Sequence, residues 1–532
     1  LTTSLVVIKH EVGVKNKEDD KLQDCESGQL LWERFSFHKD NFLGVTGGFI
    51  RLSDGFSLRF YSKRILRMLL IKERYAQNCA RSFDPILLTT ELKIEHKEMT
   101  RKFLQDLSIM LGYMSSRRVA TLMVHTSPLD QAGVGDAGGM NIYVCEAAQN
   151  MAQQGVEVDI FTRRTNTEVA DIVEVTPGVR VIQLNVGPVE GVTKEQLPAY
   201  IPQMAQAFKE ELKKSRYDVI HSHYWISGKV AMPVAKELGI PLVHTMHTMA
   251  RVKNLNLAEG ESPEPMIRVQ GETQVVAAAD ALVANTDAEA ASLVSLYGAC
   301  PDNVSVVSPG VNLKVFTPGA GRAAAREFVG LDKDVHVITF VGRIQPHKGP
   351  EVLIRAVAEM VQHSPHLRSK LVVNIIGGPS GANQSEVERL KELASWLGID
   401  DVVRFAPPVP RADLPQWYRA SDLVCVPSYS ESFGLVALEA QACGTPVVAT
   451  AVGGLRTAVA DGISGVLVDG HDPRAWSSVF ARLLQEPQRR VLLSLGAIEH
   501  ASHFGWEATS RGTLDIYDRV LSARKQAAKS IG

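Results

Sequence analysis

A chain of 532 residues, 45% hydrophobic and 22% charged, exceeds what one hydrophobic core supports and predicts two main domains. Its 57 basic and 59 acidic residues balance to −2, which excludes a global field suited to nucleic acid or an anionic membrane, so any anion must be bound by local design. No apolar run approaches the roughly 18 to 20 residues of a membrane span, and neither a secretion signal nor a CxxC pair among Cys25, Cys79, Cys145, Cys300, Cys425 and Cys443 is found; a cytoplasmic protein with reduced thiols is expected.

Residues 1–116 mix charge with aromatics such as Trp32, Phe35 and Phe49 but lack a sustained strand-Gly-helix rhythm. They are read as an N-terminal extension, either a poorly ordered appendage or a consequence of the true start being Met114, just ahead of the first clear strand. From there apolar strand candidates alternate with helical periodicity: Val119–Val124, Val156–Phe161, Val179–Leu184, Val219–His221, Leu242–Thr245, Ala281–Ala284 and Val304–Val307, with helices such as Ile142–Gln154 and Ala205–Lys214 between them. The turn-rich Ser308-Pro-Gly-Val-Asn312 reads as a hinge, after which the pattern restarts at Val335–Val341, Leu371–Ile376, Val402–Phe405, Leu423–Val426, Pro446–Thr450 and Gly465–Val468. The expected fold class is α/β, with two Rossmann-like domains facing across a cleft: 117–310, 311–505, and a terminal helix in 506–532 that crosses back to the first.

Chemistry concentrates at predicted strand ends. After the first strand, Gln131-Ala-Gly-Val-Gly135-Asp-Ala-Gly-Gly-Met-Asn141 is a glycine-rich turn running into a helix, where backbone N–H groups approach an anion closely; its spacing is not that of a dinucleotide fingerprint. His221-Ser-His223-Tyr224 and His244-Thr-Met-His247-Thr248 end two later strands. No Cys or carboxylate at zinc-site spacing accompanies them, which favours hydrogen bonding to a sugar over metal. Lys194, Thr248 and Arg268 would suit an anionic acceptor. In the second half, Arg343 offers a fork of donors and Lys348 a point charge, matched to two faces of a diphosphate. Glu431 and, eight positions later, Glu439 flank Ser432-Phe-Gly434 after a buried strand. On a helix they would share roughly one face, the first at the helix mouth, where one acid would meet a sugar ring and the other a ribose.

These segments resemble the D-inositol-3-phosphate glycosyltransferases, retaining GT-B enzymes of actinobacterial mycothiol biosynthesis. The resemblance runs from about Arg117 to near residue 521 and is carried by His125-Thr-Ser-Pro, Gly135-Asp-Ala-Gly-Gly-Met-Asn141, His221-Ser-His-Tyr-Trp, His244-Thr-Met-His-Thr-Met, Val341-Gly-Arg-Ile-Gln-Pro and Glu431-Ser-Phe-Gly. It implies transfer of N-acetylglucosamine from UDP-N-acetylglucosamine to 1D-myo-inositol 3-phosphate with retention, by front-face displacement without a protein nucleophile or catalytic cofactor. It implies donor contacts from His125, Gln131, Ala132, Gly139, Arg343, Lys348, Val409, Glu431 and Glu439, and acceptor contacts from Asp136, Ala137, Gly138, Gly139, Met140, Asn141, Lys194, Tyr224, Thr248 and Arg268. His247 would touch the transferred sugar, acting with Glu431, Arg343 and Lys348 at the reaction centre. A structural magnesium ion near Tyr418, Arg419, Ser421 and Thr445 and a homodimer are further expectations. Two rival readings are a related glycosyltransferase using another sugar phosphate or phosphatidylinositol, and a non-catalytic two-lobed ligand-binding protein, which would lack the glutamate pair and the Arg-Lys clamp.

Overall fold

The computed structural model describes residues 44–46, 49–51, 57–59, 117–379 and 385–531. The chain divides into a unit Leu1–Ile109 and a unit Met110–Gly532. In the first, β1 (Gly44–Thr46), β2 (Phe49–Arg51) and β3 (Ser57–Arg59) form an antiparallel sheet in that order. The other expectations for the extension, including Met114 as a start, lie outside the described residues.

The second unit is built on two sheets. One takes β4 (Arg118–Leu122), β5 (Glu157–Arg163), β6 (Ile172–Thr176), β7 (Val179–Leu184), β8 (Val219–His223), β9 (Leu242–Thr245), β10 (Ala281–Ala284) and β11 (Val304–Val306) in the order β11-β10-β9-β8-β4-β5-β7-β6. All its neighbours are parallel except β6, which pairs antiparallel with β7 at the edge. The other takes β12 (His336–Val341), β13 (Leu371–Ile376), β14 (Val403–Ala406), β15 (Leu423–Val426), β16 (Val447–Thr450) and β17 (Gly465–Val468), wholly parallel, in the order β14-β13-β12-β15-β16-β17. The central strands are apolar on both faces, as parallel strands sandwiched between helices must be.

Each sheet reverses its direction of growth once, between β4 and β8 and between β12 and β15. Loops leaving the carboxyl ends of strands flanking such a reversal splay apart and open a crevice. The glycine-rich turn follows β4 and the Tyr224 turn follows β8; the Arg343 loop follows β12 and the Glu431 loop follows β15. Four motifs separated in sequence thus emerge at the two places where this architecture makes room for ligands.

Five helices position those loops: α1 (Gly139–Gln153), α2 (Trp225–Leu238), α3 (Met266–Ala278), α4 (Leu435–Ala442) and α5 (Trp506–Ile531). Although α5 ends the chain after the second sheet, its Leu514, Ile516, Tyr517 and Val520 pack into the core of the first with Tyr143, Val144 and Met151 of α1. Each such buried side chain contributes about 1.5–3 kcal/mol. Among the described residues, no helix is long and apolar enough to cross a membrane.

Candidate active site

The β12 and β15 loops meet in a tight junction. Gly349 has φ +70°, and a Cβ there would stand 2.1 Å from the Pro427 carbonyl oxygen, so only glycine lets the loops close on each other. This brings Lys348, at the end of the turn Pro346–Lys348, within reach of the second loop, and its Nζ donates to Glu431 Oε2 at 2.7 Å. Ser428 Oγ adds a donor at 3.3 Å. Burial pushes the Glu431 carboxyl up, but the Lys348 ammonium and these hydrogen bonds outweigh it and hold it below the usual carboxylate range. Glu431 is therefore ionised at neutral pH, its charge fixed by Lys348.

The glutamate pair does not share a helix face. Glu431 lies in the loop, where its carbonyl accepts from Gly454 N at 2.8 Å, and α4 begins only at Leu435 behind a left-handed Gly434. No side chain caps α4, which leaves its amino end free to face an anion. Glu439, within α4, is 4% exposed. Tyr418 Oη donates to its Oε2 at 3.0 Å and Arg411 Nη2 lies 3.6 Å from Oε1. Burial raises its carboxyl, opposed by Arg411 and the Tyr418 hydrogen bond.

Arg343 reaches towards the first sheet. Its Nη1 is 4.0 Å from Asp136 Oδ1, and a Cβ on Gly138 would stand 3.3 Å from its Nε, so the absence of a side chain there lets the glycine-rich turn lie close against the guanidinium. Asn141 locks that turn: Oδ1 accepts from Gly138 N at 2.9 Å, while Nδ2 donates to Ser127 O at 2.7 Å and Thr126 Oγ1 at 3.1 Å. Ala137 is buried, Met140 and Ala132 half-buried, and Gln131 and Gly139 exposed, with Leu435 of α4 3.5 Å from where a Cβ on Gly139 would stand. Val409 is half-buried in the loop after β14.

The expected acceptor residues gather around Tyr224. Lys194 Nζ lies 5.3 Å from its ring centroid and Arg268 Cζ 5.1 Å, placing two cations within cation–π range. Arg268 is fixed from three sides: Nη2 donates to Thr248 Oγ1 at 2.8 Å, Nε to Glu272 Oε1 at 2.7 Å, and Nη1 pairs with Glu264 at 2.8 Å. His125 packs against Tyr224 with centroids 4.2 Å apart and the rings tilted by 41°. The His125 Nδ1 and Tyr224 Oη are buried, and neither meets a hydrogen-bond partner among the described residues. Two such atoms side by side are groups that a polar ligand can satisfy.

Among the described residues, His247 and Tyr224 are the non-glycine residues at positive φ, +59° and +71°. His247 Nε2 lies 2.8 Å from His223 Nδ1, and its carbonyl accepts from Ser432 Oγ of the Glu431 loop. Burial, with nearby His244, lowers its imidazole to about 3. Burial likewise holds His125, His221 and His223 well below the ordinary histidine value, with neighbouring cations and histidines adding to it. Neutral rings hydrogen-bonded to one another suit sugar hydroxyls, and no group of three metal-ligating side chains occurs among the described residues.

The four positions expected to hold magnesium form a knot of neutral oxygens. Thr445 Oγ1 donates to Tyr418 O at 2.6 Å and Ser421 N donates to the same carbonyl at 3.1 Å, while the Arg419 side chain turns to Thr317 O and Oγ1 at 2.6 and 3.1 Å. A carbonyl and a hydroxyl are hard donors of the kind magnesium takes, and here they bond to each other. Sequence reasoning missed Arg411, Glu146, Glu264, Glu272 and the Ser432–His247 contact. Arg411, Glu146 and the Ser432–His247 contact join positions far apart in the chain, whereas Glu264 and Glu272 stand four residues either side of Arg268, at a helical spacing.

Two family models cover most of the second unit: "Glycosyl transferase 4-like domain" over residues 138–310 and "Glycosyl transferases group 1" over residues 321–499. The D-inositol 3-phosphate glycosyltransferase of Thermobispora bispora is 55% identical over 407 residues, 76% of this chain and 95% of the relative. That of Streptosporangium roseum is 55% identical over 408 residues, 76% of this chain and 94% of its own. Among solved structures, sucrose-phosphate synthase from Thermosynechococcus elongatus superposes with a TM-score of 0.71 at 32% identity, over 76% of this chain and 100% of that one. Anabaena HepE, solved with UDP and glucose, shares the fold with a TM-score of 0.59 at 20% identity, over 77% of this chain and 100% of its own.

Proposed function

Starting from the D-inositol 3-phosphate glycosyltransferase family, to which this chain belongs, we propose that it transfers N-acetylglucosamine from UDP-N-acetylglucosamine to 1D-myo-inositol 3-phosphate with retention at the anomeric carbon, as a step of mycothiol biosynthesis in the cytoplasm. One observation supports the acceptor above all: Lys194 and Arg268 converge on the ring of Tyr224, whose buried hydroxyl meets no hydrogen-bond partner among the described residues. Two cations beside an unpaired hydroxyl are complementary to a phosphate carried on a polyol. Thr248, already bonded to Arg268, and the turn from Asp136 to Asn141 would complete that pocket.

The donor would lie across the cleft. Arg343, Lys348 and the uncapped amino end of α4 would take up the charge that develops on the diphosphate as the glycosidic bond breaks. Glu431, ionised and held by Lys348, would accept hydrogen bonds from the sugar hydroxyls, and Glu439 from the ribose diol. His125, Gln131, Ala132, Gly139 and Val409 would line the same donor. His247, neutral because it is buried, would hydrogen-bond the transferred sugar without adding charge. In front-face displacement the acceptor hydroxyl attacks the face the diphosphate leaves, and the departing diphosphate oxygen takes its proton. The Ser432–His247 contact would close the cleft against water, limiting donor hydrolysis.

A structural magnesium ion, held by the Tyr418 carbonyl, the Thr445 hydroxyl and main-chain oxygens at Arg419 and Ser421, would stay outside the chemistry. A homodimer is the expected assembly. The test is a substrate panel with anomeric analysis by NMR: α-linked product from UDP-N-acetylglucosamine and inositol 3-phosphate, and none from unphosphorylated inositol. A β-linked product would refute retention, and equal use of both polyols would refute the acceptor.

A further inference from the structure

One side chain ties the two halves of the site together. Arg411 Nη2 lies 3.1 Å from Glu146 Oε1 on α1 and 3.6 Å from Glu439 Oε1 on α4, so a single guanidinium is shared by carboxylates from the two lobes. Its Cζ sits 5.5 Å from the Phe316 ring centroid, which restrains the plane of the fork. Glu146 is also approached by Asn312 Nδ2, at 3.3 and 3.4 Å from its two oxygens, and Asn312 belongs to the segment joining the lobes. Glu439 has its other oxygen on Tyr418. A carboxylate this buried, without a cation beside it, would take up a proton and lose the capacity to accept two hydrogen bonds.

We propose that Arg411 is a positioning residue: it orients Glu439 for a ribose diol, and it passes occupancy of the nucleoside pocket to the first lobe through Glu146. The inference rests on the reading of Glu439 as the ribose ligand. When two hydroxyls bind Glu439 and share its charge, the attraction of Arg411 towards α4 weakens. The guanidinium, already 3.1 Å from Glu146, is then held by that carboxylate more exclusively and fixes α1 against the second lobe. The distances, shorter to Glu146 than to Glu439, place the guanidinium nearer the first-lobe carboxylate.

The experiment measures equilibrium binding of UDP and of 2′,3′-dideoxy-UDP to the full chain, with small-angle scattering on the same samples. The wild type should prefer UDP by at least about tenfold, since a site built to bond hydroxyls rejects the analogue lacking them. Arg411→Ala should weaken UDP by about tenfold, the usual size for loss of a charge-assisted contact, while leaving the dideoxy analogue unchanged. Arg411→Lys should recover part of the UDP affinity. Glu146→Gln should keep UDP affinity within about twofold yet lose the compaction that UDP induces in the wild type. Equal weakening of both nucleotides by Arg411→Ala would make the residue merely structural and overturn the proposal. Absence of UDP-induced compaction in the wild type, or its persistence in Glu146→Gln, would overturn the coupling to the first lobe. A wild type that does not distinguish the two nucleotides would instead refute Glu439 as the ribose ligand.

Discussion

At the scale of single residues the site depends on charges fixed by specific partners. Glu431→Ala removes the carboxylate and leaves Lys348 without its 2.7 Å partner, so kcat should fall by at least about 100-fold, the scale of losing one preorganised polar contact to the reacting group. Circular dichroism should be unchanged, because Glu431 lies in a loop and not in a core; activity within a few fold of wild type would contradict its role. The buried histidines give a pH prediction with a definite sign. His244, fully buried, is lowered to about 3, whereas an unfolded histidine titrates near 6.5, so the unfolded state takes the proton first. The stability it contributes is complete above about pH 6.5 and is lost as pH falls towards 3, at up to about 1.4 kcal/mol per pH unit. Melting temperature should therefore fall between pH 7 and pH 5, and a rise over that interval would contradict neutral burial. The residues carrying this chemistry were legible because they occupy short contiguous motifs. Glu272 was not: Arg268 lies four positions before it on the same helix, but Ala250 and Tyr297 reach it only in three dimensions, and a glutamate on a helix reads as solvated surface.

At the scale of elements, strands buried on both faces were read from sequence to within a residue or two, and Leu242–Thr245, Ala281–Ala284 and Leu423–Val426 match their observed bounds. β6 escaped because it is an antiparallel edge strand with Ile172 and Val175 exposed, so neither a continuous apolar run nor a clean alternation marks it. Helix α1 starts at Gly139, ahead of the apolar periodicity at Ile142, because Asn141 bonds back to Gly138 N and supplies the cap. The face expected from Glu431 and Glu439 failed for a related reason: Gly434 delays the helix until Leu435. The proposed magnesium belongs at this scale, since it would tie the end of helix Leu414–Ala420 to the segment before β16. Chelation followed by dialysis should lower the melting temperature, and magnesium should restore it. An unchanged melting temperature would remove the ion from the account.

At the scale of the whole molecule, two sheets each place a reversal of strand order at the site, and α5 returns to pack on the first sheet after the chain has completed the second. The two-lobed plan was legible from strand rhythm alone, but the contacts that cross between lobes, Ser432 to His247, Arg343 to Asp136 and Arg411 to Glu146, were not. Periodicity reports which face of an element is buried and says nothing about which loop another loop will meet. The division of labour between lobes is tested most directly by steady-state kinetics of Arg268→Ala with both substrates varied. The acceptor KM should rise at least about tenfold, with the donor KM within about twofold of wild type, because Arg268 is fixed in the first lobe by Thr248, Glu264 and Glu272. Equal increases in both constants, or a change in the donor constant alone, would contradict a phosphorylated acceptor held by the first lobe and a nucleotide sugar held by the second.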